Sequence, residues 1–110
     1  MPTTTKAISK ARIKRILMVD DEPDITFTLK TALEDNGFFQ VDTFNDAQSV
    51  LSVFRPGLYD LALLDIRMPE MNGFQLCRKL RYIDYKLKMC FLTAADLGAY
   101  TDTDQTLSMI

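Results

Sequence analysis

Apolar and polar positions alternate between two rhythms along this chain. Ile16-Leu17-Met18-Val19 is a continuous apolar run closed by Asp20-Asp21-Glu22, the pattern of a strand buried on both faces. Pro23 comes next, suited to a first helical turn, with Asp24 near the positive end of the helix dipole. Ile25, Leu29, Ala32 and Leu33 then recur at helical spacing until Asn36-Gly37 stops the helix. Phe39 to Phe44 reads as a second strand. Asn45 or Asp46 caps a helix whose apolar face is Ala47, Val50, Leu51 and Phe54, ended by Pro56-Gly57. Leu61 to Leu64 is a third buried strand closed by Asp65. Asn72 is positioned to cap the next helix, with Phe74, Leu76, Cys77, Leu80 and Ile83 as its stripe. Met89 to Leu92 is a fourth strand, closed by Thr93.

Strands that alternate with helices predict βαβ units, hence an α/β fold built on a doubly wound parallel sheet. In such a sheet a ligand site lies at the C-terminal strand ends, where the strand order reverses. The first and third strands are neighbours there, so Asp20, Asp21 and Asp65 are expected to converge. Three close carboxylates repel and raise one another's pKa. A bound Mg²⁺ relieves that repulsion and prefers oxygen ligands of this kind. Asp20-Asp21-Glu22 alone reads equally well as a solvated acidic loop. Asp65 at the equivalent end of a second strand favours a site.

Composition narrows the chemistry. The 110 residues suit one domain, and 47% hydrophobic with 25% charged residues excludes global disorder. His is absent, which removes the commonest general base and metal ligand. A metal site must then be built mainly from oxygen. A net charge of −2 argues against direct nucleic-acid binding. No apolar run approaches the ~18 residues of a membrane span, and no signal peptide is visible, so the expected location is the cytoplasm. Cys77 and Cys90 lack CxxC spacing and read as reduced, buried thiols. Residues 1–14 are Thr-rich and basic without a hydrophobic period. They read as a flexible tail before a domain over 15–110.

Three stretches in register carry a family likeness. They are Ile16-Leu17-Met18-Val19-Asp20-Asp21-Glu22-Pro23, then the run from Tyr59 through Asp65-Ile66-Arg67-Met68-Pro69-Glu70-Met71-Asn72-Gly73, then Phe91-Leu92-Thr93-Ala94. Over roughly residues 15–95 the chain resembles the response-regulator receiver domain of two-component signalling. The resemblance implies a flavodoxin-like receiver fold with strand order 2-1-3-4. It implies that Asp65 is the phosphoacceptor, phosphorylated by a histidine kinase or phosphotransfer protein. It further implies that Asp20, Asp21, Asp65 and the Arg67 backbone carbonyl bind Mg²⁺, and that the Thr93 hydroxyl bonds the phosphoryl oxygens. Such a protein acts through a downstream protein partner and is not a turnover enzyme. Glu22 and Glu70 read as solvated or supporting residues, and Met68, Met71 and Phe74 as packing.

The family pattern continues into a fifth strand ending in a Lys, then a Pro and a fifth helix. Here no Lys occurs after Thr93, and Lys86 and Lys88 lie at the wrong end of the fourth strand. The expectation is a receiver without its fifth strand and helix, either a shortened receiver or a variant with an eroded end. Its fourth strand would be an exposed edge open to self-association. Two other functions compete with a phosphorylatable receiver. One is a receiver-like interaction module that is not productively phosphorylated because that Lys is missing. The other is a Mg²⁺-dependent phosphotransfer enzyme, which calls for a second acid as Asp-x-Asp. Asp65-Ile66-Arg67 lacks it.

Overall fold

The computed structural model of the chain describes residues 13–92. The expected tail up to residue 12, Thr93 and the segment after it lie outside the described residues. Four strands form one parallel sheet in the order β2-β1-β3-β4. They are β1 (Lys14–Val19), β2 (Phe39–Phe44), β3 (Leu61–Asp65) and β4 (Lys88–Leu92). Helix α1 (Pro23–Glu34) joins β1 to β2, α2 (Ala47–Val53) joins β2 to β3, and α3 (Gly73–Ile83) joins β3 to β4. The doubly wound order expected from the sequence is therefore observed. Lys14 of β1 pairs with Phe39, so this residue belongs to the sheet and not to the expected tail.

Alternation along β1 divides the core in two. Ile16 and Met18 point to one face with Val41, where Leu29 and Leu33 of α1 pack on them. Leu17 and Val19 point to the other face, into a larger core with Val50 of α2 and Leu76 and Leu80 of α3. All four residues of the run are at most 2% exposed, as a central strand covered on both sides requires. Burying each such side chain contributes about 1.5–3 kcal/mol, so β1 anchors the fold. Phe74 and Phe91 meet edge-on at 4.5 Å between centroids and extend this core toward the strand ends. Met68 and Met71 pack there too, as expected.

Helix boundaries obey local chemistry. Asp46, not Asn45, caps α2, its Oδ1 accepting the Ser49 N–H at 2.7 Å. Asn72 caps α3 in a reciprocal capping box with Gln75. Gly37 and Gly57 hold positive φ after α1 and α2, which glycine adopts without a Cβ penalty. Cys77 and Cys90 are free thiols, Cys77 buried and Cys90 half-buried.

Strand β2 lies at one edge of the sheet, and α1 protects it. The Val41 N–H donates to Glu34 Oε2 at 2.8 Å, and Lys30 Nζ donates to the Val41 carbonyl at 2.5 Å. Lys30 and Glu34 are themselves paired at 2.9 Å. Two side chains thus occupy backbone groups that a foreign strand would otherwise pair with. The Val41 N–H, with help from Lys30, holds the Glu34 carboxyl below its ordinary pKa. Glu34→Ala is expected to raise amide exchange at Val41 about tenfold while β1 amides stay protected. Unchanged Val41 protection would mean that the clamp carries nothing.

Candidate functional site

The register of the central strands builds the site. Val19 of β1 pairs with Leu64 of β3, so the next residues, Asp20 and Asp65, leave the sheet side by side. Asp21 is next on the same loop. Carboxylate oxygens of Asp20, Asp21 and Asp65 all lie within 4.8 Å of one another. The three acids expected to converge are therefore together. Glu22 and Glu70 are exposed and stand outside this group.

The loops after β1 and β3 hold Asp20 and Asp65. Asp20 is 5% exposed. Its N–H donates to the Phe44 carbonyl, and its Oδ1 accepts the Glu22 N–H at 2.9 Å. Asn45 reaches over from the end of β2, its Nδ2 donating to the Asp20 carbonyl at 2.8 Å and to Thr26 Oγ1 at 3.2 Å. The Thr26 hydroxyl donates in turn to the Pro23 carbonyl at 3.0 Å. Asn45 is thus a tie between β1, β2 and the first turn of α1, not the helix cap that local spacing allowed.

Asp65 is fixed by the loop between β3 and α3. Its Oδ1 accepts the Arg67 N–H at 3.1 Å. The Ile66 N–H donates to the Leu92 carbonyl, drawing this loop to the end of β4. The Ile66 carbonyl accepts the Gly73 N–H at 3.0 Å, which docks the start of α3 on the same segment. A Cβ at Gly73 would fall well inside contact distance of the Asp65 carbonyl oxygen and 3.1 Å from Ile66 Cα. Between them, Glu70 takes a φ of +69° and the Met71 N–H reaches back to the Pro69 carbonyl at 2.7 Å. That is a tight γ-turn on a non-glycine residue, a strained conformation. Thr93 lies outside the described residues, although β4 ends beside the site at Leu92.

Burial and like charge together shape the electrostatics of the site. Burial first, then the charges of Asp20 and Asp21, push the Asp65 carboxyl up to about 6, against the opposing Arg67 N–H bond. Burial also raises Asp20, partly offset by the Glu22 N–H, with Asp21 adding to the rise. An all-oxygen, anion-crowded group of this kind suits a hard cation. Asp20, Asp21 and Asp65 each offer one carboxylate oxygen that could hold such an ion.

A family model for the response regulator receiver domain matches residues 16–106. The chain belongs to the response-regulator receiver family. This receiver is 39% identical over 88 residues to the transcriptional regulatory protein TcrA of Mycobacterium tuberculosis, a match covering 80% of this chain and 34% of that protein. It is 35% identical over 96 residues to the response regulator GtcR of Aneurinibacillus migulanus, covering 87% and 37%. The chain thus spans about a third of the length of the curated relatives it matches. Among solved structures it is similar to response regulator protein TrrA from Thermotoga maritima in complex with Mg²⁺-BeF, with a TM-score of 0.69 and 35% identity over 84% of this chain and 80% of that one. It also matches a chain in the crystal structure of histidine kinase ThkA in complex with TrrA, with a TM-score of 0.67 and 30% identity over 88% and 97%. The receiver fold and strand order inferred from the sequence agree with these neighbours. Among the described residues, no helix is long and apolar enough to cross a membrane.

Proposed function

We propose that this receiver takes up a phosphoryl group on Asp65 in a Mg²⁺-dependent step. The donor is a phosphohistidine on a histidine kinase or phosphotransfer protein, and the readout is altered contact with a downstream protein partner. The observation that carries this reading is the convergence of Asp20, Asp21 and Asp65 at adjacent strand ends. TrrA, a similar receiver, has been solved in complex with Mg²⁺-BeF, and a second structure pairs it with a histidine kinase.

Asp20, Asp21, Asp65 and the Arg67 carbonyl would hold Mg²⁺, which when bound screens the repulsion between a carboxylate and an incoming phosphoryl anion. Asp65 supplies the attacking oxygen. An O–P bond forms as the donor's N–P bond breaks, and the electron pair returns to the imidazole. The Arg67 N–H bond to Oδ1 orients the Asp65 carboxylate. Thr93, just after β4, is assigned the hydrogen bond to the new phosphoryl oxygens. Because the acceptor is the protein's own side chain, the event is stoichiometric and the receiver is not a turnover enzyme.

A small phosphodonor plus Mg²⁺ should therefore add one phosphoryl group, labile to hydroxylamine and blocked by EDTA. An unlabelled chain under these conditions would overturn the reading. The metal half has its own check. Millimolar Mg²⁺ should raise the unfolding temperature by mass action, and Asp21→Ala should remove that rise. A thermal shift that persists in the variant would place the ion elsewhere.

A further inference from the structure

The surface formed by α2 and α3, away from the acidic site, is segregated in charge and partly apolar. Helix α2 carries no charged residue, and α3 carries Arg78, Lys79 and Arg81 but no acid. This stands out in a chain whose net charge is −2. Asp84, the acid directly after α3, is turned inward. It is 8% exposed and accepts N–H bonds from Gly57 and Lys86. Between the helices lies a groove of about 510 Å³ lined by Leu51, Arg78, Lys79, Tyr82 and Ile83. Tyr82 is 93% exposed and Val53 49%, so large side chains stand in water with nothing described against them.

We propose that this groove is a docking site for an acidic peptide segment of a partner protein, one that presents a single large apolar side chain between carboxylates. The floor of Leu51 and Ile83 accepts the apolar anchor, while Arg78 and Lys79 on the rim meet the acids. Arg and Tyr are the side chains on which binding energy usually concentrates, and Arg offers a carboxylate two parallel donors. Charge complementarity of this kind speeds encounter and selects the partner. A nucleic acid fits less well. It would need a longer run of cations to offset repulsion from an acidic chain, and it has no use for an apolar floor.

The test is fluorescence anisotropy with the 110-residue chain and a labelled Glu-rich peptide carrying one central Leu. Saturable binding is expected. It should weaken about tenfold or more in the double variant Arg78→Glu, Lys79→Glu, and also in Tyr82→Ser. Because all three positions are exposed, circular dichroism should show an unchanged fold. Should the double variant unfold, the Tyr82 variant decides alone. A Lys-rich version of the peptide should bind the double variant better than the parent. Equal binding by a peptide lacking the Leu, or by both variants, would overturn the proposal. So would binding of an oligonucleotide or a phosphatidylserine vesicle in place of the peptide. Self-association of the chain that the double variant abolishes would likewise reassign the groove to a second copy.

Discussion

Asp65→Asn is expected to take up no phosphoryl group and, without metal at neutral pH, to be more stable than the parent chain. The first half rests on the chemistry, since an amide offers no carboxylate oxygen to attack phosphorus. The second half rests on burial of the Asp65 carboxyl, with the charges of Asp20 and Asp21 adding to it. Asp65 titrates at about 6 in the folded chain, against an ordinary value of 3.8. The folded state therefore holds this proton more tightly than the unfolded state does. That contribution is complete below about 3.8 and is lost as pH rises through about 6. At neutral pH the ionised Asp65 is thus a net cost, which Asn removes. A shift of one unit is worth about 1.4 kcal/mol. Because Asp65 is partly exposed, solvent screening reduces the gain to about 1–2 kcal/mol.

The check is chemical denaturation of both chains in EDTA from about pH 5 to 7.5, a window that brackets the Asp65 titration. Glu34 and Asp46 have depressed pKa values, so their contributions fade only at lower pH and stay constant in this window. The parent should lose stability across the window relative to the variant. Millimolar Mg²⁺ should then reverse the order at the alkaline end, because the variant has given up a proposed metal ligand. Parallel profiles, or labelling of the variant equal to the parent's, would sink the assignment of Asp65.

Much of this site could be read from the chain because its acids sit where a hydrophobic run stops. Ile16 to Val19 declares a strand buried on both faces and Leu61 to Leu64 a strand of which only Ala62 and Leu64 are fully buried, and the residue after each run must emerge at the C-terminal end of the sheet. What could not be read depends on contacts distant in sequence. Asn45 looks locally like a helix cap, yet its amide is spent on the Asp20 carbonyl, 25 residues away. Helical spacing predicts Ala32 in the core, but it is exposed, whereas Thr26 is buried at 3%. Burial suits this Thr because its hydroxyl is satisfied three residues back at Pro23. Ile83, placed on the stripe of α3, is 38% exposed and lines the groove instead. Lys14 and Lys88 extend their strands beyond the apolar runs. Hydrophobic patterning misses such ends because the first residue of each strand projects toward solvent.

Gly73 is the sharpest case of a residue whose reason is tertiary, and Gly73→Ala is expected to damage stability and the proposed phosphoacceptor together. Nothing about its backbone calls for glycine, since its φ is not positive. In the first turn of a helix, Ala would ordinarily be favoured over Gly. The obstacle is the Asp65 backbone, whose carbonyl carbon would lie 3.0 Å from the new Cβ with its oxygen closer still. Backbone cannot rotate away as a side chain can. Either α3 lifts off β3, or Asp65 leaves its place beside Asp20. Lifting α3 loosens Leu76 and Leu80, both fully buried, and overpacking of this kind costs about 1–3 kcal/mol. Moving Asp65 breaks the Arg67 bond and spreads the carboxylates. Gly57→Ala supplies the contrast. There the new Cβ meets nothing within 4 Å, and the penalty is only the positive φ of +79°, about 1–2 kcal/mol. Both variants should therefore lose comparable stability in denaturant, but only Gly73→Ala should slow phosphoryl uptake by its folded fraction. Equal uptake by the two, measured where both are fully folded, would show that the start of α3 does not position Asp65.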